Sequence, residues 1–302
     1  MAIDPIVHIR ILSPSGAINP DYIDDAAERL QKWGYNVTIS PHAFGEYGRF
    51  SGTDEERLAD LNNALHDPSV DAILCARGGY GLQRILDKID LSSLNVNHST
   101  LIGFSDITAL HQFNALHSSR ATLHGLMCKH IATLPENCVA LQLFRRALAR
   151  EPLTYTLPAH PLNRYGEARG TLVGGNLSVL YGLQGTPYGL NRVIDAHPKG
   201  VILFIEDIGE RHYHIDRMIN NLRMSGVLSR LNGLIVGQFT DCEPDPLMNC
   251  SIYDTIAHNV AAYDYPVLFD FPAGHVEDNR PMWLNTTHQL NVNEKISTLT
   301  TL

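Results

Sequence analysis

Hydrophobic and polar positions follow two rhythms along this chain. In the first half, short apolar runs alternate with segments of helical spacing. IVHIRIL (6–12) has the length and β-branched content of a strand, with SPSG as its turn. DYIDDAAERLQKW (21–33) predicts a helix stopped by Gly34, and YNVTIS (35–40) a second strand. TDEERLADLNNALHD (53–67) predicts a helix capped by Thr53, with Glu56 three residues on completing a capping box. VDAILCA (70–76) and TLIGF (100–104) predict strands that run into helical GLQRILDKI (81–89) and DITALHQFNAL (106–116). This alternation argues for a parallel sheet with helices on both faces.

Over residues 131–170 the periodicity weakens between Pro135, Pro152, Pro158 and Pro161. From GEARGTLVGG (166–175) onward strands dominate: 168–174, 201–207, 233–239, 266–274 and 282–292, with helices over 216–226 and 253–263. The expected class is α/β, with an N-terminal parallel, Rossmann-like domain over 1–150 and a β-rich α/β domain over 165–302.

Composition narrows the function classes. A length of 302 residues, 44% of them hydrophobic, suits a folded protein of one large or two medium domains. Net charge is −9, and no Lys/Arg-rich stripe offers the surface that nucleic acid requires. Asp4, His8 and Arg10 break up the N-terminal apolar stretch, so no secretory leader is expected there. No apolar run approaches the ~20 residues that span a bilayer. The five cysteines form no CxxC and leave one over from pairing, which fits a reducing cytoplasm.

Ligands of open parallel sheets bind beyond the carboxyl ends of the strands. Three such ends stand out here: SPSG, RGGYG (77–81) and Ser105. The glycines of RGGYG permit close backbone approach, but their spacing is not GxGxxG, so no dinucleotide cofactor is expected. Ser105, in GFSD, fits either a helix cap or a nucleophile raised on a sharp turn. A nucleophilic serine needs a base, and the base an orienting group. Glu206 ends an apolar strand, with Asp207 as its rival pointing to the opposite face, and His275 follows FPAG. GGNLS (174–178) reads as a tight packing turn or as an anion-holding helix start. His212 and His214 supply only half a tetrahedral metal site and read as a surface turn, so no metal is expected.

Taken together, SGTDEERLADL, ILCARGGYG, LIGFSD, GTLVGGNLSVL, ILFIEDIGE with the following YxIDRM, and FPAGH resemble the LD-carboxypeptidase family over nearly the whole chain. That family comprises muramoyltetrapeptide carboxypeptidases and related microcin-C immunity peptidases. The resemblance implies a cofactor-free serine peptidase with a Ser105–Glu206–His275 triad, in a cleft between an N-terminal domain carrying the serine and a C-terminal one carrying the other two. It implies oxyanion donors at the Asp106 and Gly79 N–H groups, with Arg77, Gly78, Tyr80, Gly175 and Asn176 as substrate-binding candidates. The implied reaction releases terminal D-alanine from a cytoplasmic murein tetrapeptide during peptidoglycan recycling; a homodimer is left open. The segment between Glu206 and His275 lacks tryptophan, which favours the murein branch over the immunity branch. A non-catalytic two-domain protein closing on a peptide or amino acid is the competing class.

Overall fold

The computed structural model describes residues 6–90, 92 and 99–302. These form two compact units, Met1–Glu151 with Arg280–Trp283, and Pro152–Asn279 with Leu284–Leu302. In chain order the first half contains β1 (His8–Leu12), α1 (Pro20–Lys32), β2 (Asn36–Ile39), α2 (Asp54–His66) and β3 (Ala72–Cys75). There follow β4 (Thr100–Gly103), α3 (Thr108–His117), β5 (Thr122–His124), α4 (Cys128–Thr133) and α5 (Val139–Leu148). The second half continues with β6 (Thr154–Pro158), β7 (Gly166–Asn176), α6 (Leu177–Gly182), α7 (Leu190–Ala196) and β8 (Val201–Ile208). Next come α8 (His212–Met224), β9 (Gly233–Thr240), α9 (Ile252–Asn259) and β10 (Val267–Leu268). The chain ends with β11 (Met282–Leu284), β12 (Thr286–Val292) and β13 (Ile296–Thr301).

The first sheet has the order β11-β5-β4-β3-β1-β2, and its pairs from β2 to β5 are all parallel. Strands β3 and β4 are buried at every position, as a sheet covered on both faces requires. Connections run outward in opposite directions from β1 and β3, so the topological switch point lies between them. Loops at that point, SPSG and RGGYG, meet: the Gly16 N–H donates to the Gly78 carbonyl at 3.0 Å. The second sheet is mixed, in the order β10-β9-β8-β7-β12-β13-β6. It is parallel from β10 to β7 and antiparallel from β7 to β6.

Several expectations change. Residues 81–89 form two short 3₁₀ turns, Leu82–Arg84 and Leu86–Lys88, instead of one helix. Gly81 at φ 144° and Ile85 at φ −120° lie outside helical geometry. The loosely patterned stretch contains α5, whose buried Ala140, Leu141, Phe144, Ala147 and Leu148 have regular helical spacing, and then β6. The expected strand 282–292 is two strands in different sheets, separated by Asn285 at φ 57°. Only Val267–Leu268 of the expected 266–274 strand is extended in a ladder; Asp270 at φ 62° turns the chain. Helix α7 and strand β13 gave no sequence expectation.

Thr53 caps α2 as expected, with both bonds of the capping box formed. Thr53→Ala is expected to cost about 1 kcal/mol, read as a lower urea midpoint at unchanged slope, and Thr53→Ser to recover most of it.

Candidate active site

In the first unit, β4 ends at Gly103, buried Phe104 follows, and Ser105 takes φ 65°. That left-handed conformation is uncommon outside glycine and is held by what surrounds it. A 3₁₀ turn, Ser105–Ile107, leads into α3, which therefore starts at Thr108 and not at Asp106. On α3, buried His111 faces the Gly103 carbonyl through Nε2 at 2.9 Å. Burial pushes this imidazole down to about 4, so it is neutral and donates from Nε2.

Gly78 packs against the serine turn. A Cβ at Gly78 would lie 2.8 Å from the Ser105 Cβ and 3.1 Å from the Asp106 nitrogen, so only glycine fits without a shift. Gly79 adopts φ 102°, a second glycine requirement in the same loop. Buried Asp106 turns its carboxylate to the loops, accepting bonds from the Ser15 hydroxyl and, at 2.9 Å, from the Leu82 N–H. Burial raises its carboxyl, and those hydrogen bonds together with the Arg57 charge oppose the rise. Arg77 and Tyr80 occupy the exposed side of the loop. The Arg77 guanidinium donates to the Ala17 carbonyl, and the Tyr80 ring lies 5.9 Å from Phe50.

In the second unit, Glu206 near the end of β8 is fully buried, and its Oε2 lies 2.8 Å from His275 Nδ1. The loop carrying His275 is fixed by the Gly274 N–H, which donates to Asn279 Oδ1 at 2.9 Å. Asp207, next along the strand, has the other set of partners: Asn176 Nδ2 at 2.9 Å, the Ser178 N–H at 2.9 Å and its own neighbour's N–H, Ile208, at 2.8 Å. Asn176 also caps α6, its oxygen accepting from the Val179 N–H and the Ser178 hydroxyl. The anion at the GGNLS turn is thus the chain's own Asp207. Gly175, at φ 138°, precedes this cap.

His212 and His214 lie in the first turn of α8, not in a turn before it, and diverge: His212 Nε2 meets Thr255 Oγ1 at 2.7 Å, and His214 Nδ1 meets Glu210 at 3.0 Å. Among the described residues, no group of three or more His, Cys, Asp or Glu side chains is arranged to hold a metal ion. Sequence reasoning missed Arg57, Ser15, Asn279 and the bonding role of Asp207. Arg57 left a signal: with Asp60, Leu61, Ala64 and Leu65 it lies on the buried stripe of α2.

Residues 9–125 match the family described as LD-carboxypeptidase N-terminal domain, and residues 169–290 its C-terminal domain. The probable murein peptide carboxypeptidase of Bacillus subtilis is 32% identical over 96% of this chain and 91% of its own length. Muramoyltetrapeptide carboxypeptidase from Oxalobacter formigenes is 25% identical, with a TM-score of 0.86 over 98% of both chains. MccF in complex with glutamyl sulfamoyl guanosine shares the fold, with a TM-score of 0.83 at 21% identity, over 99% of this chain and 97% of that one.

Burial, reinforced by the charge of Glu206, pushes the Asp207 carboxyl up to about 7. A carboxyl raised on folding binds more protons in the folded than in the unfolded state between pH ~4 and ~7. Its contribution to stability is complete below that window and is lost as pH rises through it. The stability of wild type relative to Asp207→Asn is therefore expected to fall from pH ~4.5 to ~7.5, at up to ~1.4 kcal/mol per pH unit, in paired urea titrations.

Proposed function

The chain belongs to the LD-carboxypeptidase family, and we propose that it is a serine peptidase releasing terminal D-alanine from the L-centre of murein tetrapeptides in cytoplasmic peptidoglycan recycling. The observation that carries this reading is the part-buried Glu206–His275 contact of 2.8 Å in a chain that also raises Ser105 on a left-handed turn. Glu206 engages Nδ1 of His275, which leaves Nε2 as the nitrogen for proton transfer. His275 takes the Ser105 proton, Ser105 attacks the scissile carbonyl, and the imidazolium protonates the leaving D-amino acid; water, giving its proton to His275, then cleaves the acyl-Ser105 ester and frees the serine. Glu206 fixes the tautomer and stabilises the imidazolium without itself becoming protonated.

The developing oxyanion is held by the Asp106 and Gly79 N–H groups, and a lost donor of this kind typically costs ~10²–10³ in kcat. Gly78 places the glycine loop against the nucleophile turn, which supports these two amides as neighbours. Arg77 and Tyr80 remain candidates for substrate contact, since both are exposed on that loop. Asn176 and Gly175 remain candidates as well, in the capped turn that holds Asp207.

The test is turnover of a tetrapeptide ending in D-Ala, read by mass spectrometry. Wild type is expected to release D-alanine, with little release from the L-Ala epimer or the C-terminal amide. Sites built around polar partners reject analogues lacking them by as much as ~10⁴-fold. Ser105→Ala is expected to remain folded and lose turnover. Equal rates on the two epimers would refute LD specificity, and equal rates on acid and amide the carboxypeptidase assignment. Preference for an aminoacyl sulfamoyl nucleoside would move the protein to the immunity branch. Exhaustive chelation is expected to leave the rate unchanged, because hydroxyl, imidazole and carboxylate carry every step.

A further inference from the structure

Arg57 is a fully buried cation away from the triad, 1% exposed on the inner stripe of α2. Its Nη1 donates to the Pro14 carbonyl at 2.7 Å and to the Gly81 carbonyl at 3.1 Å. Its Nε donates to the Gly52 carbonyl at 3.3 Å, and Nη2 pairs with the Asp54 carboxylate. The Phe50 ring covers the guanidinium, 5.1 Å from its carbon. One side chain thus ties together the loop after β1, the loop after β3 and the entry to α2. Arginine is rarely fully buried, and an apolar replacement often stabilises as well. What the planar fork adds is fixed geometry, which neither an apolar side chain nor the point charge of lysine supplies.

The two tied loops meet at one hydrogen bond, from the Gly16 N–H to the Gly78 carbonyl. A trans peptide is planar, with its C=O and N–H pointing in opposite directions. Anchoring the Gly78 carbonyl on Gly16 therefore aims the Gly79 N–H away from Gly16. Pro14, anchored by Arg57, stands two residues before Gly16, and Gly81, anchored by the same nitrogen, two residues after Gly79. From the opposite side the Asp106 carboxylate holds Ser15 and Leu82, the next residues along each loop.

We propose that Arg57 is a positioning residue that sets the direction of the Gly79 N–H toward the oxyanion; this rests on the serine-peptidase reading. A donor misdirected by a fraction of an ångström loses its value in the transition state, while ground-state binding of the peptide changes little.

The test compares wild type, Arg57→Lys and Arg57→Met in two assays, after circular dichroism has established that each is folded. One is the second-order rate of labelling at Ser105 by an alkyl fluorophosphonate, with Ser105→Ala as the blank; the other is kcat and KM on the D-Ala tetrapeptide. Both variants are expected to lose ~10²-fold in labelling and in kcat, with KM within about threefold of wild type. If Arg57→Met fails to fold, Arg57→Lys decides. Folded variants that label within threefold of the wild-type rate overturn the proposal, as does a loss that appears in KM alone. Wild type that labels but does not cleave the tetrapeptide sinks the substrate reading, and the labelling rates still decide the role of Arg57. Wild type that fails to label removes the nucleophile, and this proposal with it.

Discussion

The left-handed backbone at Ser105 is the constraint around which the first unit is arranged. A non-glycine residue at φ 65° costs on the order of 1–3 kcal/mol and persists only where the surroundings over-determine it. Here Phe104 and Ile107 are buried on either side, His111 faces the Gly103 carbonyl, and Asp106 is bonded to two loops. Gly78 closes the remaining space. The bare glycine and the strained serine are two halves of one fit: a side chain at Gly78 would push the turn out of place. A relaxed serine would withdraw its hydroxyl from the carboxyl edge of the sheet.

The second unit solves a different problem on β8, where two adjacent carboxylates are both buried. Pleating turns Glu206 toward His275 and Asp207 toward the α6 turn, so they share no partner. Their charges still repel, and this repulsion adds to the desolvation that raises Asp207. Its bonds to Asn176 and the Ser178 N–H keep Asp207 off the Glu206–His275 contact.

Legibility in the sequence followed the strength of local signals. The capping box of α2, strands β1 to β4 and the place of Glu206 in an apolar strand were readable, because each is written in a few consecutive residues. The 81–89 stretch misled because its helical spacing is overridden by Gly81 and by the Leu82 N–H, which Asp106 takes. Asn285 divides 282–292 between two sheets, and no periodicity within one segment records a change of sheet. Arg57 drew no reading of its own, although its place on the stripe of Leu61 and Leu65 marked it as buried. The GGNLS turn was readable as a place for an anion, but not that the anion comes from residue 207 of the same chain.

Among the described residues, buried Asp106, Asp207 and Arg57 are bonded by backbone of loops that follow strands, and the hydrogen-bonding state of the backbone explains why. Along the middle of a parallel strand the N–H and C=O groups are already paired with both neighbours, so a charge there finds no donor or acceptor and its burial is prohibitive. Beyond the last ladder bond the loops carry unpaired amides and carbonyls. Those groups are what these charges use: Leu82 and Ser178 donate to Asp106 and Asp207, and Pro14, Gly52 and Gly81 accept from Arg57. The same loop backbone that makes a strand end able to bind a ligand therefore also makes it a place where the fold tolerates buried charge. Moved back into β4, or a few positions toward the start of β8, the same carboxylates would face only the apolar, fully laddered interior of the sheet, and neither the turn nor the His275 contact could form.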